Sequence, residues 1–261
     1  MTIYIFTDFE GISGVFSKEQ VLPGGSRFGE GRDYMTMDIN AAAEGCKAAG
    51  ADKVIVRDGH GGGYSVRWEK LSGAVDEVIC GTGNDDRFAD FEDVDGIILL
   101  GYHAMAGTAG AILEHSMSSI RIQNYWINGE KAGEVAIDAG IAGEHGVPVL
   151  MVSGDDKVCK EAKELLPWIE TAQVKRGLNT FGGIMLGAEK AHKLLFDTAK
   201  KAVERIGEMQ IKKTVYPVKF RVEVTERQQV PNHRTVEGIE IIDGRTYEIT
   251  ADTLEDALLR S

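Results

Sequence analysis

Cysteine is scarce in this chain: Cys46, Cys80 and Cys159 are the only three in 261 residues, far apart and with no C-x-x-C pair. So sparse and odd a set excludes a disulfide framework and points to reduced thiols and a cytoplasmic setting. Positive charge is short as well. Lysine and arginine number 29 against 41 acidic residues, a formal net charge of −12. That balance argues against a nucleic-acid binder, which neutralises phosphates with basic side chains, and favours cationic ligands or metal ions. No repeat or low-complexity tract is visible. The apolar start of residues 3–6 meets Asp8 and Glu10 at once, too short and too soon charged for a signal peptide. One run lacks Asp, Glu, Lys and Arg, residues 96–113, but Gly96, Gly101, Gly107, Gly110 and His103 break it into a strand and a glycine-rich loop. A membrane span is therefore not expected.

What is present is an ordinary globular composition, 43% hydrophobic and 27% charged residues. β-Branched and aromatic runs predict strands at 2–7, 53–57, 75–80, 96–102, 123–127 and 148–153. Helical patterns cover 33–49, stopped by Gly50, and 133–145, and Asn128-Gly129 marks a tight hairpin turn. Strands alternating with helices at this spacing imply an α/β fold, a mainly parallel sheet covered on both faces in three layers. After residue 180 the pattern changes. A long amphipathic helix at 188–204 precedes strands at 215–224 and 246–250 and a last helix at 253–259. This predicts a catalytic unit over 1–180 and a smaller α+β unit over 181–261.

Ligands of doubly wound sheets bind beyond the carboxyl ends of the strands. Three predicted strand ends here carry metal-capable side chains: Asp8 with Glu10, His60 among Gly59, Gly61, Gly62 and Gly63, and His103. Glu134, opening the helix after the hairpin, completes a set of two imidazoles and three carboxylates. Imidazole suits zinc, and a bridging carboxylate can hold two cations about 3.5–4 Å apart. Three carboxylates against two divalent ions leave the site nearly neutral. Taken singly, each residue has an ordinary reading. Asp8 can pair with a lysine, His60 can be a loop histidine, His103 a hydrogen-bonded core histidine, and Glu134 the acid a helix N-terminus prefers. Their conjunction at successive strand ends is what points to metal. The run His60-Gly61-Gly62-Gly63 matches the oxyanion tetrapeptide of some esterases, but no G-x-S-x-G accompanies it, so a serine hydrolase is rejected.

The segment Thr7-Asp8-Phe9-Glu10-Gly11-Ile12-Ser13-Gly14 resembles the D-x-E-G-I-S-G signature of the zinc-dependent D-aminopeptidases, peptidase family M55. Further matches follow in order: Asp58-Gly59-His60, Gly101-Tyr102-His103-Ala104, His115-Ser116-Met117, Asn128-Gly129 with Gly133-Glu134, and Ser153-Gly154-Asp155-Asp156. The similarity covers most of residues 1–185 and thins beyond. The resemblance implies two Zn2+ ions per subunit, with other divalent metals admissible. Asp8 would bridge them, Glu10 and His103 would complete one site, and His60 and Glu134 the other. It implies His115 as a further active-site residue, described in the family as a nucleophile. Given a metal-activated water, His115 is better read as an acid for the leaving amine or a donor to the oxyanion. The interval from His103 to His115 is one residue longer than in the best-known members. The implied activity is removal of the N-terminal residue of short peptides with a free N-terminus, D-amino-acid peptides in particular, by a cytoplasmic homodecamer. Alternatives are a peptidase or amidohydrolase for L-peptides or cell-wall peptides, and a non-enzymatic dipeptide-binding protein.

Overall fold

In the computed structural model, which describes residues 1–81, 86–231 and 238–261, strand β1 (Thr2–Thr7) feeds two cores at once. Ile3 and Ile5 point into one, and Tyr4 and Phe6 into the other. A strand can be apolar on both sides only where both faces of its sheet are covered. After β1 come α1 (Lys18–Val21), α2 (Phe28–Ala48), β2 (Lys53–Asp58), the short β3 (Glu77–Ile79) and β4 (Gly96–Tyr102), in which every residue is buried. The chain continues through β5 (Ile122–Ile127), β6 (Glu130–Ala132), α3 (Glu134–Glu144), β7 (Val149–Gly154), α4 (Asp156–Leu165) and β8 (Glu170–Gln173). It ends with β9 (Lys175–Asn179), β10 (Gly182–Met185), α5 (Ala188–Glu204), β11 (Val218–Val224), β12 (Ile239–Ile241), β13 (Thr246–Ala251) and α6 (Leu254–Leu259).

Six strands form a parallel sheet in the order β3-β2-β1-β4-β7-β8. Helices α2 and α5 pack together over one face. Over the other lie α3, α4, α6 and an antiparallel sheet of order β12-β13-β11-β5-β6. The α/β expectation with a mainly parallel sheet therefore holds. The antiparallel sheet draws β5 and β6 from before residue 180, while α5, from after it, lies on the parallel sheet. Asn128 and Gly129 both take positive φ, 52° and 89°, as the predicted hairpin turn requires. Helix α2 starts earlier than residue 33 and includes Gly29 and Gly31. Gly31 reads as a breaker but is a packing requirement: a Cβ there would lie 2.3 Å from the Gln20 carbonyl oxygen. Among the described residues no helix is long and apolar enough to cross a membrane.

Register sets where the functional residues emerge. Thr7 pairs with Asp58 on one side and Leu100 on the other, so β1, β2 and β4 end near one level. The chain builds outward from β1 through β2 to β3, then returns to β1's other side with β4. That reversal opens the crevice in which such sheets bind ligands. The loop after β1 is pressed onto the end of β4: Gly11 N–H donates to the Gly101 carbonyl at 2.7 Å, and a Cβ on Gly11 would sit 2.0 Å from the Tyr102 oxygen. Gly11→Ala should therefore force backbone apart and cost about 1–3 kcal/mol. Gly73→Ala, with no atom within 4 Å, should stay within about 0.5 kcal/mol of wild type. Urea midpoints of the two variants check this, and equal midpoints would refute the close-packing account.

Candidate metal centre

The carboxylate of Asp8 stands between two histidines. Its Oδ1 lies 3.1 Å from His60 Nδ1, and its Oδ2 lies 3.3 Å from His103 Nε2. Glu10 Oε2 approaches the same His60 nitrogen at 3.2 Å. Glu134, at the first position of α3, brings Oε1 to 3.2 Å from His103 Nε2 and 3.9 Å from His115 Nε2. The fold thus gathers all six sequence-predicted residues. Ligand atoms of Asp8, Glu10 and His103 all lie within 4.8 Å of one another, as do those of His103, His115 and Glu134.

The three imidazoles share one arrangement. His60 Nε2 lies 3.0 Å from the Val21 carbonyl, His103 Nδ1 3.0 Å from that of Ala104, and His115 Nδ1 2.9 Å from that of Leu113. A carbonyl only accepts, so each of these nitrogens carries a hydrogen. The other nitrogen of each neutral ring is then a lone pair facing the carboxylate cluster. Lone pair against carboxylate is repulsive unless a proton or a cation lies between them. Asp8 Oδ2, Glu10 Oε2 and His103 Nε2 are buried and have no hydrogen-bond partner among the described residues. Imidazoles tied back through one nitrogen to main-chain oxygens, with carboxylates opposite the other, are the donor set of a divalent transition metal. The residues present fit zinc.

Electrostatics agree. Burial disfavours the charged form of His60, but the charges of Glu10 and Asp8 outweigh it and raise its pKa well above the ordinary value. For His103 burial acts the same way, and Glu134 and Asp8 outweigh it. Burial likewise opposes ionisation of Glu10 and Glu134, yet His60 and His103 respectively hold them below the usual carboxylate range. With no metal bound, protons take the place of cations.

His115 is placed by strain and stacking. Its ring lies over that of His103, centroids 3.9 Å apart and planes 13° from parallel. Leu113 and Met117, two residues to either side, have positive φ of 53° and 59°, a backbone cost that concentrates at functional sites. Met117 N–H donates to Glu134 Oε1 at 2.6 Å, so one carboxylate fixes both the loop and the cluster. A cavity of about 360 Å³ opens over the cluster, walled by Asp8, His60, Arg87, His115 and Glu134. A second, about 440 Å³, adjoins it through Glu10 and His115, with Lys18 and Phe181 on its far side. A larger cavity of about 610 Å³ lies away from the six residues, where Lys131, Lys157 and Lys160 face Asp156, Glu161 and Glu164. Its alternating charges make no convergent donor set.

Two supporting groups left no signal in the sequence. Arg87 grips Asp138, one helical turn beyond Glu134, through bonds of 2.7 and 2.8 Å, and Tyr102 donates to the same carboxylate at 2.6 Å. Lys175 reaches from β9 to the loop after β1. Asp58, by contrast, lies in a motif visible in the sequence. It accepts the main-chain N–H groups of His60, Ser65 and Val66, which shapes the glycine loop.

This fold and site define a buried histidine–carboxylate centre fit for a divalent metal, and the protein's relatives make it a metal-dependent peptide hydrolase. The chain belongs to the D-aminopeptidase family, peptidase family M55, whose pattern matches residues 1–260, well past the point where the resemblance thins by eye. It is 35% identical over 208 residues to a D-aminopeptidase of Bacillus subtilis (strain 168), a span of 78% of this chain and 74% of that protein. Its structure is similar, at a TM-score of 0.91 and 30% identity, to the Zn-dependent D-aminopeptidase DppA from Bacillus subtilis, a self-compartmentalizing protease. The likeness covers 98% of this chain and 94% of that one.

The raised histidine values carry a signed consequence. A folded-state pKa above the unfolded one adds stability that is complete below the unfolded value and lost as pH rises through the folded value. In chelator, the thermal midpoint should therefore fall as pH is raised above about 6.5, the ordinary histidine value. The slope should shrink in His60→Ala. A midpoint that climbs through this window would contradict the pairing of protonated histidines with the carboxylates.

Proposed function

We propose that the protein is a dinuclear zinc aminopeptidase that removes the N-terminal residue of short peptides, those beginning with a D-amino acid foremost. One observation carries the reading: three imidazoles, each tied by one nitrogen to a main-chain carbonyl, turn the other toward three buried carboxylates. Asp8, with one oxygen toward each of His60 and His103, would be held in common by the two ions. On the family resemblance, Glu10 and His103 would complete one site and His60 and Glu134 the other. Bound zinc supplies Lewis acidity, polarising the scissile carbonyl and lowering the pKa of a water to about 7.

The chain's own residues do the rest. The cavity of about 360 Å³ over the cluster is where a peptide's free N-terminus would enter. His115, with Nδ1 committed to Leu113, has Nε2 free to carry a proton to the leaving amine or to donate to the developing oxyanion. Glu134 Oε1 lies 3.9 Å from that nitrogen. The self-compartmentalizing habit of the structural neighbour supports a homo-oligomer, a decamer on the family resemblance. The sparse, unpaired cysteines support work in the cytoplasm.

Metal analysis together with turnover of matched D- and L-dipeptides tests the proposal. Two zinc ions per chain and a preference for the D-substrate are expected. Asp8→Asn should lose metal and activity together, while Glu10→Gln or His60→Ala should deplete mainly one site. Full metal content in Asp8→Asn would remove Asp8 from the bridge, and faster L-peptide turnover would reassign the substrate.

His115→Ala should keep both metals and most of its stability while kcat falls about 10²–10⁴-fold. Near-normal kinetics would strip His115 of a chemical role. Loss of zinc would make it a ligand, and an acyl-enzyme burst in the wild type would make it a nucleophile.

A further inference from the structure

Lys175 opens β9 and is only 2% exposed. Its ammonium makes no hydrogen bond to a carboxylate among the described residues. Instead Nζ donates to three main-chain carbonyls of one loop: Glu10 at 2.6 Å, Ile12 at 2.9 Å and Val15 at 2.7 Å. Burial pulls the ammonium down to about 7, but three oxygen acceptors at these distances are met only by the three hydrogens of the protonated form. Burying a charged side chain against neutral oxygens is costly. What it achieves is local: the loop carrying Asp8 and Glu10 is closed around one point.

The same loop is held from two other directions. Ser13 N–H donates to Asp38 Oδ2 at 2.8 Å from α2, and Gly11 is locked to the end of β4. The Gly11 bond holds the N–H side of the Glu10–Gly11 peptide, and Lys175 holds its carbonyl side. Of the three Lys175 bonds, the shortest runs to the main chain of Glu10 itself, whose carboxylate has one buried, unpartnered oxygen aimed at the cluster. Asp8 is held otherwise, through its N–H to the Leu100 carbonyl at 2.8 Å and the strand behind it.

We propose that Lys175 is a positioning residue for the metal site: it fixes the Glu10 main chain from behind, and so sets the metal affinity of the half-site that Glu10 completes. This rests on the zinc reading given above. A loop that wandered by an ångström would keep the fold, since its apolar residues Phe9, Ile12 and Val15 are fully buried, but it would present Glu10 poorly. Arginine cannot substitute, because a planar guanidinium does not offer three tetrahedral donors.

The test is zinc affinity, measured by competition with a chromogenic chelator, together with thermal unfolding in chelator. Lys175→Met, which keeps the stem and removes the donors, should weaken zinc binding about 10–100-fold, the range for groups that orient ligands, while still unfolding cooperatively. In a Glu10→Gln background the same change should cost less than about two-fold, because the group being positioned is gone. General softening of the fold would cost as much in both backgrounds and would overturn the proposal, as would undiminished affinity in Lys175→Met. Should the methionine variant not fold, Lys175→Gln, which keeps two N–H donors, carries the same pair of measurements with a smaller expected loss. A wild type that takes up no zinc would overturn the metal reading instead, a result distinct from either.

Discussion

Three carboxylates are buried within reach of one another, and everything around them answers that problem. Asp8, Glu10 and Glu134 are each no more than 7% exposed. Like charges so placed repel, and desolvation deepens the penalty, so the cluster exists only where positive charge is supplied. The protein supplies it in layers. Imidazoles stand directly against the carboxylates, Lys175 lies behind the loop that bears two of them, and Arg87 neutralises Asp138 beneath the third. Each imidazole keeps its other nitrogen hydrogen-bonded whether or not the cluster-facing nitrogen carries a proton. Protonated, they balance the carboxylates; neutral, they would join them as donors to a divalent ion. In the proposed reading the site would bind metal by exchanging protons for it, coupling metal affinity to pH.

Delivery of these groups to one place is a matter of sheet topology. The parallel register that aligns Thr7 with Asp58 and Leu100 makes three strand ends converge, and the reversal of strand order beside β1 leaves the crevice open above them. Glu134 comes from elsewhere. It reaches the crevice because the β5–β6 hairpin turns the chain back and α3 begins directly beneath, so its carboxylate sits at the helix N-terminus, where negative charge is favoured. Gly133 allows that approach, since a Cβ there would meet Glu161 Oε1 at 2.5 Å and Met105 at 2.7 Å.

How much of this was legible in the chain depends on whether the signal was local. Strand ends are local: an apolar run ending at Asp8, Asp58-Gly59-His60 or Tyr102-His103 announces both the element and its exposed tip, and the α/β class follows from their spacing. Helix starts were less so, because α2 runs through Gly29 and Gly31, and Gly31 is a site of close packing inside it. Sheet membership was not local at all. Nothing in 122–132 distinguishes a strand pairing with β11 from one pairing with β4, since antiparallel partners far along the chain decide it. Lys175 and Arg87 were invisible for the same reason. Each is one charged residue in an unremarkable stretch, and its meaning lies in carbonyls or a carboxylate contributed by distant segments.

His115 shows how the two kinds of information combine. The sequence placed it after a loop of small residues, free of any strand end, and the structure finds it stacked on His103 with its backbone turned into positive φ on either side. That geometry separates it from the other two histidines. His60 and His103 each lie within 3.3 Å of two carboxylate oxygens, whereas among the described residues His115 reaches only Glu134, at 3.9 Å. A ring in the tighter pair of positions is committed to the cluster and has no nitrogen left for substrate. A ring held back by this margin keeps one nitrogen directed into the space between the two adjoining cavities, both of which it lines. In the proposed reading, a proton would be carried there without disturbing the carboxylates. Ligand and proton carrier would then be the same chemical group in this site, divided by roughly half an ångström of reach together with two residues at positive φ.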